Sequence, residues 1–87
     1  MGVRKLNNKH ANVIYKNVEK YRKSKGLSQP DLCRELALIG ITMYNNDIYR
    51  IEHNKKSVKD FELYALAKVL NVKIDDLLYG IEEKFYK

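Results

Sequence analysis

Four polar or aromatic residues could recognise the edges of DNA bases if they shared one face of a helix: Asn45, Asn46, Tyr49 and Arg50. A rotation of about 100° per residue places them together with His53, opposite the apolar Ile48 and Ile51. An asparagine amide can bind both N7 and N6–H₂ of adenine, and an arginine can bind O6 and N7 of guanine. A tyrosine ring can lie against a thymine methyl group or donate to a phosphate. These residue types therefore favour contacts to bases.

Asparagine is also a poor choice for an ordinary exposed helix face, where lysine, glutamate and glutamine form helices better. The adjacent Asn45 and Asn46 therefore favour a functional explanation. The alternative is that both asparagines only help to cap the helix.

The elements that would position these residues are predicted to be helices, because no stretch alternates apolar and polar residues for long enough to build a sheet. The single proline and the four glycines fall where helices should begin or end. The sequence therefore predicts an all-α fold of five helices. We expect them at about 11–25, from Ser28 to a linker at 38–43, and at 44–53, 57–70 and 75–79.

Local signals predict several of the helix ends. Gly26 is expected to end the first helix, since glycine readily adopts the left-handed conformation that is common there. Ser28 and Asp31 form a capping-box-like pair at the start of the second helix, and Ser57 with Asp60 is a similar pair for the fourth.

The N-cap of the third helix stays open, because Thr42 and Asn45 are chemically better capping residues than Tyr44. Apolar residues at helical spacing are expected to form the inner faces of the helices. These are Ile14, Val18 and Tyr21 in the first helix, Leu32, Cys33 and Leu36 in the second, Tyr44, Ile48 and Ile51 in the third, and Leu63, Leu66, Ala67 and Leu70 in the fourth.

The charge of the chain is unevenly distributed. Its net charge is +6, yet residues 1–56 contain 12 basic and 5 acidic side chains, whereas residues 57–87 contain 5 and 6. The first two thirds of the chain therefore suit a polyanion such as nucleic acid. Solubility alone would explain a basic surface equally well.

Composition excludes several classes of protein. A chain of 87 residues, 45% apolar and 32% charged, is sized for one globular domain. The single cysteine, Cys33, excludes an internal disulfide, and no apolar run is long enough to cross a membrane or to form a secretion signal. We expect a cytoplasmic protein with a basic arm at 1–10, a folded domain at 11–80 and a tail at 81–87.

No catalytic or cofactor-binding arrangement is evident in the sequence. It has no Ser/His/Asp set and no phosphate-binding glycine loop, so neither enzyme activity nor a cofactor is expected. His10 and His53 lack cysteine or carboxylate ligands at a metal-binding spacing, so no metal site is expected either.

A series of short motifs follows in order along residues 11–79. They are Ser28-Gln29, Leu32 and Cys33, then Ile48, Ile51 and Glu52, then Leu63, Leu66-Ala67-Lys68-Val69-Leu70-Asn71-Val72 and Ile74-Asp75-Asp76-Leu77-Leu78. Each motif is weak alone, but in this order they resemble the Cro-type phage-repressor helix-turn-helix, also called the xenobiotic-response-element family. The resemblance implies a five-helix lambda-repressor-like domain whose third helix reads the major groove of DNA.

The resemblance also implies roles for individual residues. Those that match base-reading positions are Asn45, Asn46 and Arg50. Those that match phosphate-binding positions are Gln29, at the start of the second helix, and His53, Asn54, Lys55 and Lys56, in the loop after the third. Arg22 and Glu52 match a pair that ties the first helix to the third.

The sequence departs from the family pattern in three places. The interval from Ser28 to Glu52 is longer than usual, with the extra length at 38–43, which indicates a long-turn variant. Cys33 stands where alanine is common, and Asn54 replaces the glycine that usually follows the third helix.

Together these observations predict a sequence-specific regulator that binds double-stranded DNA, and a repressor in particular. The alternative is a helix-turn-helix scaffold for protein–protein binding, such as an antitoxin or an antirepressor-type partner, whose third helix should be apolar or rich in methionine.

We also expect a homodimer, because one short helix reads few base pairs, and no effector-sensing domain after residue 79. The self-pairing surface should lie in the nearly neutral residues 57–87, since two regions of net charge +7 repel each other. An apolar strip is expected there, formed by Leu78, Tyr79, Ile81 and Phe85. The alternative is that this tail folds back on its own core.

Overall fold

Residues 10–82 are described by a computed structural model, in which they form five helices and no strand. The helices are α1 (Tyr15–Ser24), α2 (Gln29–Leu38), α3 (Asn45–Glu52), α4 (Asp60–Leu70) and α5 (Ile74–Leu77). The predicted all-α fold of five helices is confirmed. Most of the predicted arm (1–9) and of the tail (83–87) lies outside the described residues, so the division into arm, domain and tail stays a prediction.

One apolar core holds the helices together, and α3 packs against both α1 and α2. Tyr21, Cys33 and Leu63, which were expected on inner faces, are only partly buried at its edge. Partial burial raises the pKa of the Cys33 thiol. The buried apolar residues are Ile14, Val18, Leu32, Leu36, Met43, Ile48, Ile51, Ala65, Leu66, Ala67, Leu70 and Leu77.

The start of α2 has the predicted capping box. The Ser28 hydroxyl accepts a hydrogen bond from the Asp31 N–H at 3.1 Å, and the Asp31 carboxylate accepts one from the Ser28 N–H at 2.8 Å. The hydrogen bond from the Ser28 backbone holds the pKa of Asp31 below its usual value. The box therefore fixes the end of α2 at which Gln29 lies.

α1 and α3 are both followed by a residue in the left-handed conformation. Gly26 adopts it after α1 with φ at 71°, which confirms the predicted end of that helix. Asn54 adopts it after α3 with φ at 60°, and the next residue, Lys55, donates its N–H to the Arg50 carbonyl at 2.7 Å. Asparagine is the residue that best replaces glycine at such a position, so Asn54 ends α3 as a glycine would.

α1 begins four residues later than predicted. The Asn12 side-chain oxygen accepts a hydrogen bond from the Ile14 N–H at 3.0 Å. The N–H groups of Ala11 and Asn12 donate to the Asn54 side-chain oxygen, at 2.8 and 3.1 Å. Because asparagine side chains compete with helical hydrogen bonds, residues 11–14 follow a non-helical path against the end of α3.

Tyr44 does not lie on the inner face of α3 as predicted, because 71% of it is exposed. It is the N-cap, with an extended backbone, and successive side chains of an extended chain point to opposite sides. Met43 is therefore the residue that enters the core. The Tyr44 N–H donates to the Asp47 carboxylate at 2.9 Å, so neither Thr42 nor Asn45 is the N-cap.

The predicted cap of α4 by Ser57 and Asp60 is wrong. Residues 57–59 are not helical, and Lys59 is the N-cap. Its N–H donates to the Glu62 carboxylate at 2.9 Å, whereas Asp60 accepts from the Phe61 N–H at 2.7 Å. Glu62 is buried, so the position of this carboxylate at the core edge decides where α4 begins. α5 begins one residue earlier and ends two residues earlier than predicted.

Two left-handed asparagines allow a matched test of the Asn54 side chain. Asn54→Gly keeps a residue suited to the conformation but removes both hydrogen bonds to residues 11 and 12, so the free energy of unfolding should fall by about 1–2 kcal/mol. Asn71, at the end of α4, has φ at 58°, and its side chain makes no hydrogen bond within residues 10–82. Asn71→Gly should therefore change stability by less than about 0.5 kcal/mol. Urea denaturation measures both variants, and equal losses would contradict a specific role for Asn54.

Candidate nucleic-acid interface

The outer side of α3 presents four exposed residues: Asn45, Asn46, Tyr49 and Arg50. On the opposite side of the helix, Ile48 and Ile51 are fully buried. The side-chain amides of both asparagines make no hydrogen bond to any residue that the structure describes. Their donors and acceptors are therefore available to an external partner.

Tyr49 is held by a residue at the C-terminal end of α3. Its ring stacks on the His53 ring, with the centroids 3.9 Å apart and the planes inclined by 22°. The His53 Nδ1 lies 2.8 Å from the Tyr49 carbonyl oxygen. Because a carbonyl oxygen only accepts, Nδ1 carries the proton in this contact, which leaves Nε2 for a further partner.

Arg50 contacts the loop that follows α3. Its Nη2 donates to the Lys55 carbonyl oxygen at 3.4 Å, which is long for a hydrogen bond. A guanidinium group has five donors, so this single contact leaves most of them for an acceptor outside the protein.

A buried ion pair anchors the C-terminal end of α3 to α1. Arg22 Nε and Nη2 donate to the two carboxylate oxygens of Glu52, at 2.6 and 3.0 Å. Arg22 Nη1 donates to the Leu27 carbonyl oxygen at 2.8 Å, so the guanidinium also holds the turn after α1. The hydrogen bonds to Glu52 raise the pKa of Arg22 above its usual value. The structure thus joins the two residues that the resemblance paired.

Gln29 joins this ion pair from α2. Its Nε2 donates to Glu52 at 3.1 Å, and the second hydrogen on that nitrogen remains for an acceptor such as a phosphate oxygen. The backbone around it offers little more. Pro30 has no N–H, and the N–H groups of Asp31 and Leu32 are bound to Ser28, so only the Gln29 N–H is free in this turn.

The loop after α3 contains the other predicted phosphate-binding residues. His53 and Lys55 are exposed, and Asn54 and Lys56 are half-buried. The Asn54 side-chain oxygen is occupied by the N–H groups of residues 11 and 12, and its amide nitrogen contacts His10. Asn54 is therefore engaged within the protein, whereas the Lys55 side chain points its charge to solvent.

Asn12, which no sequence pattern singled out, contacts the chain on both sides of this loop. Its Nδ2 donates to the Ile51 carbonyl at 3.1 Å and to the Lys56 carbonyl at 2.9 Å. The partners lie 39 and 44 residues further along the chain, so no local pattern could have signalled these contacts.

Residues 10–82 also bear on other classes of site. No group of three or more His, Cys, Asp or Glu side chains there could hold a metal ion. No helix within residues 10–82 is long and apolar enough to cross a membrane.

Comparison with known proteins identifies a family to which the chain is similar. A family model described as the Cro/C1-type HTH DNA-binding domain matches residues 17–83. No match was found among curated proteins or among solved structures. The matched residues include α3 and the loop after it, whereas residues 11–14 precede the match.

Because only one of two neighbouring cations in α1 forms a buried ion pair, removing Arg22 should lower the free energy of unfolding more than removing Lys23. Arg22→Ala leaves the Glu52 carboxylate buried without its cation, so the free energy of unfolding should fall by about 3–5 kcal/mol. Lys23→Ala removes the exposed pair with Glu19, 3.3 Å apart, and should cost only about 0.3–0.5 kcal/mol. Thermal unfolding followed by circular dichroism compares them. If both variants melt alike, the buried pair does not orient α3.

Proposed function

Because the chain belongs to the family of Cro/C1-type helix-turn-helix DNA-binding domains, we propose that it is a sequence-specific repressor that reads the major groove with α3. The observation that carries this proposal is the outer side of α3, where two unengaged asparagine amides lie beside Tyr49 and Arg50. The repressor acts in the cytoplasm by occupying its DNA site. Selection of bound fragments from random duplex DNA tests the proposal, and a pool that shows no enriched motif would contradict it.

Base reading requires donors and acceptors at the edge of the groove. Asn45 and Asn46 lie in the first turn of α3, and the N-terminal residues of a recognition helix are the ones that reach the bases. Arg50 lies one turn further along, where a bidentate contact to guanine would require it to leave the Lys55 carbonyl. That contact is long, so its loss costs little.

Backbone binding is assigned to groups on both sides of α3. Gln29 supplies one amide hydrogen and one backbone N–H from α2. His53, Lys55 and Lys56 supply cationic or donor groups from the loop after α3. Phosphate contacts on either side of a recognition helix fix its register in the groove without carrying sequence information.

A second candidate function is binding to another protein through the enlarged turn. The turn occupies residues 39–44, since α2 includes Leu38. Exposed apolar side chains lie in the turn at Ile39 and Tyr44, and directly before it at Leu38. Exposed apolar patches are common at protein interfaces. If selection from random DNA returns no motif, this surface is the next one to test.

The two classes of DNA contact predict different effects of mutation. Arg50→Ala should lose about 1–3 kcal/mol of binding free energy on the selected site and relax the preference at one base pair, with little change on random DNA. Lys55→Ala and Lys56→Ala should weaken binding to both DNAs alike and reduce the slope of log K against log salt by about one each.

The exposed Lys68, on α4, provides the control, and Lys68→Ala should leave affinity and slope unchanged. Fluorescence anisotropy over a range of salt concentrations gives all of these values. Equal losses on selected and random DNA for Arg50→Ala would exclude it from base reading.

We further propose that the protein binds as a homodimer, with two half-sites about one helical turn of DNA apart. Of the apolar strip predicted for self-pairing, Tyr79 is 80% exposed, whereas Leu78 and Ile81 are half-buried. Ile81 lines a small groove with Val13 and Tyr15, so it is less exposed than predicted. Phe85 lies outside the described residues. Tyr79 is thus the described residue best placed to contact a second copy.

Sedimentation equilibrium tests the dimer. The full chain should sediment as a dimer, and Tyr79→Ser should weaken the dimer because it removes an exposed aromatic contact. Tyr64→Ser is the control, since Tyr64 is also exposed, at 58%, but lies on α4. If both variants dimerise as tightly as the unaltered protein, the interface lies elsewhere. If the unaltered protein is a monomer, the proposed dimer is wrong.

A further inference from the structure

Two asparagines hold the loop after α3 against the chain that precedes α1. Asn12 donates both hydrogens of its amide nitrogen to the loop, one to the Ile51 carbonyl and one to the Lys56 carbonyl. Asn54 accepts the N–H groups of Ala11 and Asn12 in return. We call this reciprocal arrangement of Asn12 and Asn54 the asparagine clasp.

The clasp uses every polar atom of the Asn12 side chain. Its oxygen accepts the Ile14 N–H at 3.0 Å, and its nitrogen makes the two contacts to the loop. The residue is buried, so neither group has ready access to water. An asparagine with three satisfied hydrogen bonds in a buried position has one orientation, and it fixes the distance between the two carbonyls that it bridges.

Those two carbonyls lie on either side of the residues assigned to phosphate. Ile51 belongs to the last turn of α3, and Lys56 ends the basic loop. From the α3 side, the Lys55 N–H donates to the Arg50 carbonyl at 2.7 Å. The backbone that carries Lys55 and Lys56 is therefore held from α3 on one side and from Asn12 on the other.

We infer that Asn12 is a positioning residue for the contacts of this loop with the DNA backbone, an inference that rests on the proposed function. Flexible lysines lose conformational freedom when they bind phosphates, and a loop whose backbone is already fixed loses less. Residues 11 and 12 precede the part of the chain that the family model matches, so family membership does not supply this contact.

A matched control exists in the same part of the chain. The side-chain amide of Asn17, in α1, also donates hydrogen bonds to two carbonyls, those of Leu77 at 2.7 Å and Tyr79 at 3.1 Å. These contacts hold the turn after α5 and do not involve the loop after α3. Asn12→Ala and Asn17→Ala each remove two side-chain contacts to carbonyls, and Asn12→Ala also removes the contact to the Ile14 N–H. Only Asn12→Ala frees the loop.

The experiment measures binding of the full chain to a mixed-sequence DNA duplex over a range of salt concentrations, at a temperature where circular dichroism shows each variant to be folded. Asn12→Ala should bind about threefold to tenfold more weakly, and the slope of log K against log salt should shrink by about one. Asn17→Ala should keep the affinity of the unaltered protein within about twofold and its full slope. Asn54→Gly breaks the clasp from the other side and should weaken binding and reduce the slope to the same extent. It therefore tests the clasp even if Asn12→Ala does not fold.

The possible outcomes separate the two proposals. If the unaltered protein binds DNA and the clasp variants bind with the same affinity and slope, the positioning role is wrong and the proposed function stands. If Asn17→Ala weakens binding as much as Asn12→Ala, the effect does not depend on the loop after α3 and the positioning role is also wrong. If the unaltered protein does not bind duplex DNA, the proposed function fails and the inference fails with it.

Discussion

The buried ion pair between Arg22 and Glu52 is the contact on which the arrangement of α1, α2 and α3 depends. The Glu52 carboxylate accepts two hydrogen bonds from Arg22 in α1 and one from Gln29 in α2, and Arg22 also holds the Leu27 carbonyl. A buried charge is costly unless its partners are in place. The relative orientation of α1, α2 and α3 that satisfies all of these groups is therefore favoured over nearby orientations that leave the carboxylate without a partner. One carboxylate at the end of α3 therefore sets the positions of three helices.

The same constraint explains why α3 can expose so polar a surface. Ile48 and Ile51 are buried on one side of an eight-residue helix, and Glu52 closes its C-terminal end in the core. Its N-terminal end is held by Asp47, which accepts the Tyr44 N–H. Since both ends and the inner side of α3 are held by contacts within the protein, its exposed outer residues are available to bind a partner. The separation of α3 into a buried inner side and an exposed polar outer side supports the assignment of the outer side to DNA binding.

Local signals in the sequence predicted the structure where the interaction itself is local. The Ser28–Asp31 capping box and the turn at Gly26 each involve residues a few positions apart, and both occur in the structure. The Ser57–Asp60 pair has the same spacing, but the cap that forms is the one in which the buried Glu62 accepts the Lys59 N–H, and α4 begins at Asp60. A capping pattern thus predicts that a cap is possible, and burial of a neighbouring side chain decides which one forms.

The candidate site was predictable in its centre and not at its edges. The exposed residues of α3 followed from helical periodicity, and the pairing of Arg22 with Glu52 followed from the family resemblance. Tyr44 was wrongly placed on the inner face because it was counted with the helical period of α3. Its backbone is extended, and side chains of an extended chain alternate with a period of two residues. The contacts of Asn12 join residues about forty positions apart, and a single sequence holds no signal of such pairs.

A nuclear magnetic resonance titration of the protein with its selected DNA duplex follows the backbone amides and shows directly which surface binds DNA. The largest shift changes should fall in α3, in the loop 53–56 and at Gln29. The outer side of α4, around Phe61 and Tyr64, should remain unchanged, because these exposed residues lie outside the proposed interface. Shift changes centred on α4, with α3 unaffected, would contradict the claim that the polar side of α3 is the surface that binds DNA.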